Sequence, residues 1–209
     1  MPSRDEILRF DEPPVPPGAS PWVVEPTPTA IEVVEYDASW PDLAERIADR
    51  IRAALGTRAV RIEHVGSTAV PGLPAKPVID LDLTVADPAA EDGWLPRLQD
   101  AGFVLTVREP WWHEHRLVRG VHPVGGDASA GRGVATNVHV FGPDSPELVK
   151  HVVFRDWLRT DAADRERYAA AKRAAAHGTA QRVTDYNARK EAVVLDVYDR
   201  AFRAAGFLD

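Results

Sequence analysis

The sequence predicts an α/β protein of the α+β kind: a mixed β-sheet flanked by helices, with a helical C-terminal third. Three observations support this. As far as Phe141, short β-branched or apolar runs alternate with longer stretches in which apolar residues recur every four positions. Beyond Phe141 only the four-residue period remains. The chain has 209 residues, 44% of them hydrophobic and 27% charged, a size and composition at which a single core buries roughly 70% of the unfolded surface.

Residues 1–30 stand apart in composition, holding eight of the chain's 18 prolines. Proline lacks an amide N–H and fixes its own φ, so this segment is expected to be an extended arm preceding a single domain over 31–209. Trp22, Val23 and Val24 offer apolar side chains to pin it. The run IEVVEY from Ile31 reads as a strand. Ser39 with Asp42 resembles a capping box, and Leu43, Ile47, Ile51 and Leu55 lie four apart on one helical stripe that Gly56 ends. Ala59–Val65 and Val78–Val85 read as strands around the loop Gly66–Lys76. Asp87-Pro88 reads as an N-cap and first-turn proline of a helix carrying Trp94, Leu95 and Leu98 and ending at Gly102. Three more strands follow at Phe103–Val107, His115–Val121 and Thr136–Phe141. The last two are joined by a glycine-rich segment, a hairpin loop or a lid. One helix carries Leu148, Val152, Trp157 and Leu158, an alanine-rich one spans 162–177, and a last one carries Val193, Val197 and Ala201.

Several function classes fall away on composition. Lys plus Arg total 25 against 32 for Asp plus Glu, a formal net charge of −7, which argues against a nucleic-acid binder needing a basic stripe. Absence of cysteine removes disulfides, thiolate metal sites and thiol nucleophiles. No apolar run approaches the length of a membrane span or a signal peptide. The expectation is a cytoplasmic protein acting on a small molecule; the oligomeric state is not legible.

The chemistry concentrates between Arg61 and Val85. Gly66-Ser67-Thr68 directly follows a strand, where a glycine lets backbone approach a ligand and exposed amides with the Ser67 hydroxyl can hold phosphate oxygens; the same tripeptide also makes an ordinary turn. Asp80 and Asp82 alternate with Ile79, Leu81 and Leu83, so both carboxylates point to one strand face. Side by side they repel unless solvated or bridged by a cation, and Mg²⁺ shared with substrate phosphates suits such a pair.

The segment IEHVGSTAVPGLPAKPVIDLDLTV, Ile62 to Val85, closely resembles the GrpB family, whose fold is nucleotidyltransferase-like and whose relatives include a domain fused to dephospho-coenzyme A kinase. Tyr36-Asp-Ala-Ser-Trp40-Pro41, Glu114-His115-Arg116, Asn137-Val138-His139-Val140, Phe154 to Arg159, and Tyr186 with Lys190 extend the likeness over roughly 31–200. The resemblance implies that Gly66 and Ser67 hold a triphosphate and that Asp80 and Asp82 bind divalent metal, Mg²⁺ or Mn²⁺. Such folds bring a third acid from a later strand. Here Thr136–Phe141 offers Asn137 and His139 instead, so His139 stands as a metal ligand or general base.

Further candidates for phosphate or nucleotide contact are Thr68, His64 beside the loop, Lys76 before the acidic strand, and Lys190. Arg116 and Arg119 must face opposite sides of one strand, and the resemblance favours Arg116. The expected function is a divalent-metal-dependent transferase that uses a nucleoside triphosphate, ATP foremost, to modify or activate a small-molecule acceptor. A nucleotide- or metabolite-binding protein without turnover and a metal-dependent hydrolase are the alternatives.

Overall fold

In a computed structural model of the chain, residues 1–10, 13–27, 30–123, 133–177 and 183–209 are described. Five strands form one mixed sheet: β1 (Arg61–Val65), β2 (Val78–Thr84), β3 (Val104–Glu109), β4 (His115–Pro123) and β5 (Gly133–Phe141). Their spatial order is β1-β2-β5-β4-β3, with β2 and β5 parallel and every other neighbour antiparallel. Among the described residues there are six helices: α1 (Arg4–Leu8), α2 (Trp40–Leu55), α3 (Leu95–Asp100), α4 (Pro146–Thr160), α5 (Ala162–Ala176) and α6 (Val183–Ala204). None is long and apolar enough to cross a membrane.

Strand alternation divides the sheet chemically. Ile79, Leu81 and Leu83 of β2, Val138 and Val140 of β5, Val118 of β4 and Leu105 of β3 face one side. There they pack with the Leu43–Ile47–Ile51–Leu55 stripe of α2 and with Leu95 and Leu98 of α3. The residues between them face the other way, toward α4, α5 and α6. Those three helices close on each other around a second core containing Leu158, Tyr168, Ala169 and Val197, joined by Val70 and Leu73 from the loop after β1.

Several local expectations are corrected. The run from Ile31 is not a strand: Val34 alone pairs, with Ala75; the next rung on one side would fall on Pro77, which has no N–H to give, and on the other on Leu73, whose N–H donates to Val70. Ser39 does not cap α2. Its backbone is helical (φ −82°, ψ −12°), its hydroxyl makes no cap bond, and its N–H instead donates to Asp37. The helix foreseen from Asp87 is shorter, a turn closed on the Asp87 carboxylate, a 3-10 turn at Glu91–Gly93, then α3. The N-terminal segment is not extended throughout, since residues 4–8 are helical and Ile7 is buried against Tyr198 and Phe202 of α6. Backbone rather than side chains holds its later part: Val23 and Val24 donate to Thr106 and Arg108 donates to Pro21, along the outer edge of β3. The glycine-rich loop lies largely in 124–132, outside the described residues.

Candidate functional site

The polar face of the sheet is built in rungs. The β1–β2–β5 register places Glu63, Asp82 and His139 on one rung and Val65, Asp80 and Asn137 on the next, with Arg119 of β4 beyond Asn137. Asn137 Nδ2 donates to Asp80 Oδ1 at 2.9 Å, and Arg119 Nε donates to Asn137 Oδ1 at 3.1 Å. The two expected carboxylates therefore do share a face. Their environments differ. Asp82 is 1% exposed, and both its oxygens face His151 Nδ1 of α4, at 3.0 and 2.9 Å. Burial disfavours charge on His151, but the Asp82 carboxylate beside it prevails and raises the imidazole to about 9. Asp80 has its pKa raised by burial, against the Asn137 hydrogen bond and the positive charge of Lys76.

Gly66 explains how the loop and Asp80 meet. It sits at φ +69°, ψ −168°, backbone open essentially to glycine alone. A Cβ there would lie 2.6 Å from Asp80 Oδ2. Without a side chain, Gly66-Ser67 presses directly against the acidic strand and continues into a 3-10 turn, Ser67–Ala69.

These groups line a cavity of about 370 Å³ between sheet and helices, bounded by Gly66, Ser67, Lys76, Asp80, Asn137, His139 and His151 on one side. Tyr168 and Lys172 of α5 and Tyr186, Asn187 and Lys190 of α6 bound the other. Of the expected contacts, Gly66, Ser67, Lys76, Asp80, His139 and Lys190 thus come together. Burial lowers the Lys76 amine, which lies 5.2 Å from the Tyr186 ring centroid. His139 is pushed down to about 3, first by burial and then by neighbouring His115. Its Nδ1 is 3.1 Å from His115 Nε2, and His115 Nδ1 is 2.7 Å from Glu109 Oε2, a chain running from the cavity to the outer strand.

Three candidates fall elsewhere. His64 pairs with Leu81, on the apolar side of the sheet. There it bonds Thr68 Oγ1 at 3.0 Å, and burial lowers it to about 4. Thr68 is 1% exposed and occupied by that bond, so both stiffen the loop from behind. Arg116 faces the same apolar side, buried and bonded to Glu91 at 2.6 Å; alternation gives the cavity side to Arg119. The strand rule had allowed one arginine, and the geometry selects the other one. Sequence reasoning missed His151, Lys172 and Tyr168. Glu147, His151 and Arg155 recur every fourth residue as a polar line in an otherwise apolar-patterned helix, and that line was the available signal for His151.

Asp80, Asp82 and His139 stand on neighbouring rungs, yet they do not form a metal cage. Asp82 is engaged by His151, and among the described residues no group of three or more His, Asp or Glu is arranged to hold a metal ion. Asp80 could give a hard cation one carboxylate ligand, and the remaining ligands would have to come from outside the described side chains.

The comparisons with known proteins agree with this fold. The model for GrpB protein matches residues 30–200. The chain belongs to the GrpB family. A UPF0157 protein of Halalkalibacterium halodurans is 40% identical over 178 residues, covering 85% of this chain and 86% of that one. Another, from Streptomyces coelicolor, is 40% identical over 176 residues, with 83% and 87% covered. The dephospho-CoA kinase of Mycolicibacterium paratuberculosis is 34% identical over 197 residues; the match takes 83% of this GrpB chain and 46% of the kinase. The crystal structure of GrpB from Enterococcus faecalis superposes with a TM-score of 0.69 at 23% identity, covering 83% of this chain and 99% of that one, a likeness of fold.

Proposed function

We propose that this GrpB chain is a transferase that uses a nucleoside triphosphate, ATP foremost, to modify or activate a small-molecule acceptor. The observation that carries the reading is the Gly66-Ser67 loop set against Asp80 on one side of a cavity whose opposite side bears lysines. Such a site pairs phosphate-holding amides and amines with one carboxylate. Ser67 and the amides of its turn would hold phosphate oxygens. Lys76 and Lys190 would offset their charge, and Arg119 would orient Asn137 and through it Asp80. Asp80 is the residue that would hold Mg²⁺ or Mn²⁺, which when bound supplies Lewis-acid stabilisation of charge on the transferred group. His139, held uncharged by burial and by His115, would meet the acceptor as a neutral hydrogen-bond partner, too weak a base to carry its proton at neutral pH. Dephospho-CoA is one acceptor to try, because kinases of that name contain a region similar to this chain.

A reading without turnover is favoured by one specific observation: Asn137 occupies the rung beside Asp80 where a further carboxylate would serve two metals. Thermal unfolding against ATP, GTP, CTP, UTP and coenzyme A, each with and without Mg²⁺ or Mn²⁺, separates the two. A ligand at a hundredfold excess over Kd raises the unfolding temperature of a chain this size by about 5–10 °C. The transferase reading expects a shift that needs both one triphosphate and metal and that Asp80→Asn abolishes. A shift with nucleotide alone, retained in Asp80→Asn, means binding without turnover.

A further inference from the structure

We propose that the helical wall of the cavity is a built anion site, in which Lys172 anchors the outer phosphate of a polyphosphate ligand with Lys76 and Lys190 beside it. This rests on reading the cavity as a phosphate-ester site. Lys172 is 2% exposed, and its Nζ has no hydrogen-bond partner among the described residues. A buried amine left so is costly. The chain satisfies its other buried lysine in the ordinary way: Lys150, 3% exposed, donates to Glu147 at 2.6 Å and to the Arg9 carbonyl. Lys172 faces the cavity instead.

The surroundings are arranged around positive charge. Tyr168 precedes Lys172 by four residues on α5, and Tyr186 precedes Lys190 by four on α6, so each helix presents a ring and an amine on one face. The two pairs interleave. Lys172 lies 5.1 Å from the Tyr168 ring centroid, and Lys190 lies 5.6 and 5.4 Å from those of Tyr168 and Tyr186. Lys190 also donates to the Tyr168 hydroxyl at 3.3 Å. The rings hold the amines in place without neutralising them. Asp80 on β2 attracts Lys172, while Lys190 on α6, Lys76 before β2 and Arg173 on α5 repel it. From α4, His151 adds a further positive charge to the cavity, and His139 of β5 adds none. Burial first, and then Lys190, pull Lys172 down to about 6. An incoming phosphate supplies the missing acceptor and restores the proton.

The test titrates the whole chain at pH 7.5 with inorganic tripolyphosphate in the presence of EDTA, by calorimetry in two buffers of different ionisation enthalpy. The wild type should take up about one proton more than either Lys172 variant, whatever proton the tripolyphosphate itself gives up on binding. Lys172→Met should bind at least about tenfold more weakly, and without tripolyphosphate it should unfold at the same temperature as wild type or higher. Should Lys172→Met fail to fold, Lys172→Arg carries the test, lacking that extra proton because its guanidinium is charged throughout. No binding to wild type at millimolar tripolyphosphate overturns the proposal. So does unchanged affinity and uptake in the Met variant, or unchanged uptake in the Arg variant. Binding that depends on Lys172, with no nucleotide showing a metal-dependent shift, leaves this site standing and removes the transferase reading. Metal-dependent nucleotide binding indifferent to Lys172 does the reverse.

Discussion

Two residues fix the contact between loop and strand. Gly66 is required twice over, by a φ of +69° and by the 2.6 Å that would separate a Cβ from Asp80 Oδ2. Gly66→Ala is expected to cost about 1–3 kcal/mol, read as a fall in the urea midpoint at unchanged slope; an unmoved midpoint would show that the loop adjusts freely. His151 answers for Asp82 in the same way. In histidine-resolved NMR titrations its imidazole should lose its proton at about pH 9, while His115 and His139 stay neutral down to pH 5. In Asp82→Asn, His151 should fall below 6.5, since burial then acts against its charge with far less opposition. A His151 midpoint near 6.5 in the wild type would contradict the ion pair. At this scale the acidic pair was legible because period-two alternation needs no tertiary information. The choice of Arg119 over Arg116 was not, because alternation says that two residues diverge without saying which face holds the ligand.

Among the elements, the helices show where local signals succeed. Ser3 and Glu6 make a complete capping box at the start of α1, within a segment whose prolines suggested extended chain throughout. The four-residue signature Ser39-Trp-Pro-Asp42 stands at the start of the longer α2 and caps nothing in the expected way, since a capping hydroxyl works only from a residue outside helical φ/ψ. The short α1 is held by tertiary contact: Ile7 is 5% exposed, packed against Tyr198 and Phe202, and Lys150 reaches the Arg9 carbonyl. Ile7→Ala should therefore destabilise the chain by about 2 kcal/mol and increase amide exchange over residues 3–9 first. A loss confined to those amides, with the global unfolding midpoint unmoved, would show that α1 detaches independently of the rest. The helices carrying Leu43 to Leu55 and Val193 to Ala201 were legible because their apolar residues recur on one stripe. In α5 the alanine background hid Tyr168 and Lys172, whose four-residue spacing acquires meaning only beside the matching pair on α6.

For the molecule as a whole, the histidines set a pH window. His64 and His122 are lowered to about 4, and His115 and His139 to about 3, burial leading in each. The folded state binds fewer protons at these four than the unfolded state does. The stability tied to their neutral forms is thus complete above the ordinary value of 6.5 and is lost as pH falls toward 4 and 3. His151 acts in the opposite sense. Raised to about 9, it contributes fully below 6.5, and that contribution is lost as pH rises through 9. Lys172, lowered to about 6, adds stability as pH rises from 7 to 9 and so opposes the loss at His151. The pair is isolated by comparison with Asp82→Asn: the advantage of the wild type in urea midpoint should shrink from pH 7 to pH 9, and an advantage that does not shrink would contradict the raised His151.

What the sequence by itself determined was the alternation of strands and helices, the helical C-terminal third, and the placing of Asp80 and Asp82 on one face behind a Gly-Ser loop. All of these follow from periods of two and four and from glycine's conformational range, which are properties of neighbours along the chain. The tertiary structure alone decided that His151 claims Asp82, that His139 leads to Glu109 through His115, and that Lys172 is buried without a partner facing the same cavity as Asp80. The packing of α4 and α5 over the polar face of the sheet brings His151 and Lys172 to that face, and the pairing of β5, β4 and β3 lines up the histidine chain; neither is a property of neighbours along the chain.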